Sequence, residues 1–340
     1  MEVSEYIEEI NKINLKESKP TLNVTINKDE FKQLLKTKYN NSKHIVKSTI
    51  IDEMIEQQNI KYLIKYLKID NTKNKPILIN KKEFKDPFAP PLAEDMIVSD
   101  NFCNLNFHRI LFTKFPLFKE QVLLVSREFL SQYTHLTIEN IRDLLYLNYL
   151  IDGFGFFNGG MKSGASQPRK HLQAAPYSSL PERDFGIFKH IKNNDNLDKI
   201  SIDNLKYCNA CTIKDLNKEN IKHILFKFDD ELIKANLNLS LIEFSSIILL
   251  NIYKIGLKFL GIDEKNEKIE NDYSVLITEN FMFLTTRKAN EVFISEKDEK
   301  ENNFINLNSL AFFFIIVSRS PEQIEEMKKG NIIKDVLSKL

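Results

Sequence analysis

Five of the nine glycines in this 340-residue chain fall within residues 153–164: Gly153, Gly155, Gly159, Gly160 and Gly164. No other stretch constrains the fold as tightly. Residues 153–158 and 170–177 read as strands, and the segment between them, GGMKSGASQPR, reads as the turn joining them. A glycine has no Cβ, so the backbone can take turns closed to other residues and approach a ligand closely. Consecutive N–H groups in such a turn form an anion-binding concavity. Ser163 and Ser166 add hydroxyl donors, and Lys162 and Arg169 add charge. The composition suits a phosphate cradle, although the stretch matches neither GxxxxGK[ST] nor GxGxxG.

Along a strand over 169–175, side chains alternate between faces. Arg169, His171 and Gln173 then share one face, and Lys170 and Leu172 the other. A histidine sits between a cationic donor and an amide donor, beside an anion cradle. Two readings are open at this point. The imidazole attacks phosphorus while its neighbours hold the developing charge, or it is a hydrogen-bonded structural residue.

The rest of the chain narrows the class. Formal net charge is +1, which argues against nucleic-acid binding through bulk positive charge. Lysine outnumbers arginine 41 to 7. The N-terminus is charged from its second residue and lacks an apolar signal region. No run reaches the roughly 18–20 apolar residues that cross a bilayer, and the longest, 310–317, reads as a buried helix. Three cysteines cannot make a fully paired framework, so a reducing, cytoplasmic setting is expected. Cys208 and Cys211 form a CxxC without two further nearby ligands and read as structural thiols.

Periodicity predicts mostly helix over 1–70, with Ile50, Ile51, Met54, Ile55 and Ile60 on one face. Three prolines make 86–91 an extended connection. Strands are predicted at 109–114 and 121–127, a helix capped by Thr137 over 137–151, and a long helix near 238–260. Residues 190–235 read as irregular, 273–278 and 281–287 as a hairpin pair, and 296–303 as a solvated loop. A helix is predicted near 307–318. Another starts at Ser320, with Pro321 at its first position and Gly330 past its end.

The segment SGASQPRKHLQ, residues 163–173, resembles the active-site segment of the diadenosine tetraphosphate phosphorylases (ATP adenylyltransferases) within the histidine-triad and galactose-1-phosphate uridylyltransferase superfamily. The resemblance extends to GFFN at 155–158, DPFAPP at 86–91, Lys114-Phe115 with QVLLVSREF at 121–129, and YSVLIT at 273–278 through Met282 and Arg287. It implies an α+β fold of the histidine-triad type, with a mostly antiparallel sheet and flanking helices. A helical part (1–75), a catalytic part (76–190) and a part completing the nucleotide site (191–340) are expected to form one compact unit.

The resemblance also implies a reaction. His171 attacks the α-phosphorus of diadenosine tetraphosphate (Ap4A), ATP leaves, and inorganic phosphate releases ADP from a covalent AMP–histidine intermediate. Gln173 would hold the transferring phosphoryl group. Substrate contacts would come from Asn158, Ser163, Gly164, Ala165, Ser166, Gln167, Arg169, Thr113, Lys114, Ser274, Met282 and Arg287, with Lys75 as a further phosphate contact. Departures stand at Arg169, where many relatives carry the triad's first histidine, at Thr113 and Ser274, where asparagine is usual, and at Thr286, where proline is. The expected partners are the dinucleotide, phosphate, ATP, ADP and AMP, with no nucleic acid and no membrane, and the chain is expected to be a monomer. No metal-binding residues and no tightly bound cofactor are expected; a divalent cation, Mg2+, accompanies the polyphosphate. The alternatives are a nucleotidyltransferase acting on nucleotide sugars and a nucleotide-binding sensor without turnover.

Overall fold

Strand alternation sorts the apolar residues of this protein into two layers. On β7 (His171–Pro176), Leu172 and Ala174 enter one buried cluster while Ala175 enters another. On β12 (Phe281–Thr286), Met282 and Leu284 join the first cluster, and Phe281 and Phe283 the second. The sheet is therefore covered on both faces. The computed structural model describes residues 2–16, 26–46, 49–68, 86–104, 106–183, 185–192, 194–301 and 303–340.

The remaining strands are β1 (Thr49–Gln57), β2 (Ile60–Lys68), β3 (Ile97–Ser99), β4 (His108–Phe112), β5 (Val122–Ser126), β6 (Gly153–Gly159), β8 (Leu197–Ile200), β9 (Cys208–Ile213), β10 (His223–Phe228) and β11 (Tyr273–Ile277). Three short ones follow: β13 (Glu291–Val292), β14 (Ile305–Asn306) and β15 (Ile315–Ser318). The main sheet has ten strands in the order β3-β4-β5-β7-β6-β11-β12-β10-β9-β8, and every pairing in it is antiparallel. The α+β class and the mostly antiparallel sheet expected from the sequence are present.

Helices Val3–Asn11, Lys28–Asn41, Ile138–Ile151 and Ile242–Leu260 contribute to one face, where Ile141, Leu144, Leu147, Ile248 and Ile252 are fully buried. Thr137 caps Ile138–Ile151 in a capping box with Asn140, and Asp152 at φ 52° ends the helix just before β6. The segment Leu239–Leu260 is long and apolar enough, by length and composition, to cross a membrane, although its longest unbroken apolar run, 247–250, is four residues. Its buried residues pack on the sheet. Both large clusters mix residues from before 75, from 76–190 and from after 190.

Four predicted elements differ. Residues 49–68 form the β1–β2 hairpin, not helix. Its two-residue turn uses Gln58 and Asn59, both at positive φ (53° and 64°). That is hairpin geometry without the glycine that announces it, and the isoleucine spacing fits both periods. Residues 307–318 hold a short 3-10 turn, Ser309–Phe313, and then β15, which pairs in parallel with β2. A wholly apolar run carries no period to separate helix from strand, and Phe314 at φ 64° ends the turn. The described residues of 190–235 include β8, β9, β10, the helix Lys214–Lys218 and most of the helix Asp230–Asn236. Within 296–303, Glu296–Lys300 is a short helix capped by Ser295. Cys208 and Cys211 are both buried free thiols on β9, three residues apart, and they enter opposite clusters.

Candidate active site

The β6–loop–β7 unit sits mid-sheet, on the face away from the long helices. Two apolar clusters cover that face, one around Leu123 and Val125 and one around Phe154 and Phe156. Gln173 lies opposite Leu123 on β5 and Phe156 on β6, so it stands between the two clusters. His171 lies opposite Val125.

Beyond Phe156 the β6–β7 ladder stops, and a side chain takes its place. Gln132 is fully buried. Its Oε1 accepts from His171 N at 2.8 Å, and its Nε2 donates to Asn158 O at 2.7 Å and His171 O at 3.2 Å. Both peptide groups of His171 on that edge are satisfied by this one amide, which pins the backbone beneath the imidazole.

The imidazole is held separately. Its Nδ1 is 2.9 Å from Arg169 O. A carbonyl only accepts, so Nδ1 carries the proton and Nε2 keeps its lone pair. Nε2 has no hydrogen-bond partner among the described residues. The ring packs on Phe88 with centroids 5.2 Å apart. Burial lowers the pKa of His171 below its ordinary value, against weaker opposing effects of the Arg169 carbonyl and Asp86. The ring is therefore neutral near pH 7, the form a nucleophile needs.

Arg169 is buried, and two of its three guanidinium nitrogens are engaged within the protein. Its Nε donates to Asp86 at 2.7 Å and its Nη1 to the carbonyls of Ser126 and Arg127. It ties the 86–91 connection to the strand that carries His171. Lys170, on the opposite face, is buried with Nζ on His135 O at 2.6 Å, and burial lowers its pKa to about 7.

The glycine loop is built differently from an open cradle. Met161 N donates to Tyr133 Oη, Lys162 N to the Asp272 carboxylate at 2.5 Å, Ser163 N and Ala165 N to Gly160 O, and Gly164 N to Met161 O. Gly160 and Gly164 have φ of 98° and 93°. A Cβ on Gly160 would collide with Asp272, and one on Gly164 would lie 2.7 Å from Asn308 Cβ. The glycines thus close a turn on the protein's own groups. Among the described residues only the amides of Ser166 and Gln167 remain unpaired in 161–167. Ser163 is buried with its hydroxyl on Gly160 O, whereas Ser166 is exposed.

The other expected contacts divide. Asn158 is buried on β6, opposite Ser274, with Oδ1 accepting from Ser309 N and Oγ. Arg287 is buried. Its Nη1 donates to Ser274 Oγ and Ser163 O, and its Nη2 to Ala289 O and Leu307 O. Its Nε has no partner, and burial lowers its pKa to about 9. It braces the loop from below. Met282 is fully buried in the helix-side cluster, so it cannot contact a substrate on the His171 face. Thr113 is half-buried after β4, and Lys114 is exposed with Nζ over the Phe115 ring. Lys75 lies outside the described residues. Sequence reasoning missed Gln121, Gln132 and Asp272. Each makes a hydrogen bond to a residue distant in the chain, Gln121 to Gln173, Gln132 to Asn158 and His171, and Asp272 to Lys162, and no local pattern marks it. Among the described residues, no group of three or more His, Cys, Asp or Glu side chains could hold a metal.

Residues 23–187 match the family model described as the Ap4A phosphorylase N-terminal domain. Over just under half of its length the chain is similar to the Ap4A phosphorylase family. It is 26% identical over 286 residues to diadenosine 5',5'''-P1,P4-tetraphosphate phosphorylase 2 of Saccharomyces cerevisiae, covering 79% of this chain and 78% of that protein. The crystal structure of yeast Ap4A phosphorylase Apa2 with AMP superposes with a TM-score of 0.68 at 19% identity, over 91% of this chain and 95% of that one. The complex of Apa2 with Ap4A superposes with a TM-score of 0.65 at 18% identity, over 91% and 96%. These likenesses establish a shared fold.

Proposed function

We propose that this protein is a nucleotidyltransferase that phosphorolyses Ap4A. Similarity to the Ap4A phosphorylase family supports that activity at family level. The observation that carries the finer reading is His171: a neutral imidazole with Nδ1 anchored on Arg169 O and Nε2 without a partner among the described residues, on one strand face with Gln173. Nε2 attacks the α-phosphorus of Ap4A. The P–N bond forms as the bond to the bridging oxygen of the ATP portion breaks, and ATP leaves. An oxygen of inorganic phosphate then attacks the same phosphorus, the P–N bond breaks, and ADP leaves with the imidazole neutral again. The Gln173 amide donates to the phosphoryl oxygens as charge builds on them. The Ser166 and Gln167 amides, unpaired among the described residues, hold the rest of the polyphosphate, with a divalent cation, Mg2+, accompanying it. A monomeric cytoplasmic enzyme is the corresponding setting.

Incubation with Ap4A, with and without phosphate, followed by chromatography of the nucleotides, tests the reading. ATP and ADP in equal amounts, formed only with phosphate present, are expected. AMP as the accumulating product, or no turnover, contradicts it.

A further inference from the structure

Gln121 lies just before β5, on the same sheet face as Leu123 and Gln173, and is 3% exposed. Its Oε1 accepts from Leu117 N at 2.8 Å and Phe118 N at 3.3 Å. Backbone amides can only donate, so the orientation of this side chain is not a matter of choice. Its Nε2 must be the atom facing Gln173, 2.9 Å from it, and it donates to Gln173 Oε1. Gln173 therefore has its carbonyl oxygen occupied and its NH2 turned away from Gln121, on the face that carries His171. Left alone, a carboxamide can rotate half a turn and present either end at similar cost.

We infer that Gln121 is a positioning residue: it locks the Gln173 amide with its donor end outward, two backbone amides of the 117–118 turn dictating the direction through a chain of two side chains. The inference rests on the reading above, in which a phosphoryl group offers only acceptor oxygens. A Gln173 carbonyl facing them would repel the charge that a Gln173 amide stabilises.

Gln121→Glu is the decisive variant. The carboxylate still accepts from Leu117 N and Phe118 N, so the turn keeps its hydrogen bonds, but it cannot donate. Gln173 then rotates to give its NH2 to Glu and shows its oxygen to the substrate. Removing one transition-state donor costs about 10²–10³-fold in kcat. Gln121→Glu is expected to lose that much, with KM changed less than about threefold. Gln173→Ala should lose a similar factor, and the double variant should lose no more than Gln121→Glu alone. Multiplying losses would mean that the two residues act independently, and the proposal fails.

A second measurement needs no turnover. In protein labelled with 15N-glutamine, the side-chain signal absent from Gln173→Ala belongs to Gln173. In Gln121→Glu its protons should move downfield as they bind a carboxylate. An unmoved signal in a folded variant overturns the proposal. If the wild-type protein does not turn over Ap4A, the reading of the reaction falls, and this signal alone decides the role of Gln121.

Discussion

Gln132→Leu should be among the most damaging single changes outside the reacting residues, and its cost can be worked out from the partners it abandons. Leucine has nearly the same size, so the cavity term is small. What changes is polar satisfaction. Gln132 is the partner of His171 N and His171 O, which point together toward the open edge of β7. Asn158 O loses the same amide but keeps Gly160 N at 3.1 Å. Two buried backbone groups are left without partners, at about 1–3 kcal/mol each, for a total of about 2–6 kcal/mol. A domain's whole stability is only about 5–15 kcal/mol. The chain has no tryptophan, so urea unfolding is best followed by far-UV circular dichroism. The midpoint should fall with the slope unchanged. The kcat of the folded variant should fall too, because the backbone under the imidazole is no longer fixed. A loss below about 0.5 kcal/mol would refute the reasoning, since β6 and β7 would then be able to close on each other and pair directly.

Gly164→Ala should cost about 2–4 kcal/mol, combining a left-handed backbone with overpacking against Asn308; an unchanged melting temperature contradicts the turn geometry. Lys170 has its pKa lowered from 10.5 to about 7 by burial, so between those values the unfolded chain holds a proton that the folded protein does not. Stability should therefore rise with pH over that window, by up to ~1.4 kcal/mol per pH unit, and Lys170→Met should flatten the slope; equal slopes for the two proteins contradict it. The lowered pKa of His171 puts the acid limb of kcat/KM below the ordinary histidine value of 6.5, because only the neutral ring attacks; a limb centred above 6.5 contradicts the burial argument.

The strands and the helix around the site were legible because each is bounded by a local signal. Thr137 caps the helix, glycines mark both ends of β6, and Leu172, Ala174 and Ala175 follow strand alternation. His171 and Gln173 stood out for the same reason, since two residues apart on a strand means one face. Elements fixed by distant partners were not legible. The β1–β2 hairpin turns on Gln58 and Asn59 with no glycine beside them, and β15 is a strand only because β2, about 250 residues earlier in the chain, offers it an edge. Arg169 shows the limit within the site itself. Its charge and position suggest a phosphate contact, yet Asp86 and two carbonyls of the 126–127 segment take the donors of its Nε and Nη1, and no spacing in the sequence links those positions. The glycine cluster was read rightly as a turn, but its amides bind Gly160 O, Met161 O, Tyr133 and Asp272 before any ligand arrives.

The central claim is that His171 Nε2 forms a bond to phosphorus. Mixing the protein with Ap4A in the absence of phosphate, quenching within milliseconds to seconds in base, and mapping the peptides by mass spectrometry tests it directly, because withholding the second nucleophile lets a two-step intermediate accumulate. The account predicts one AMP group on the peptide containing His171, labile in acid, released as ADP when phosphate is added, and absent from His171→Ala. An adduct on any other residue, or no adduct together with turnover that inverts configuration at phosphorus, would contradict it.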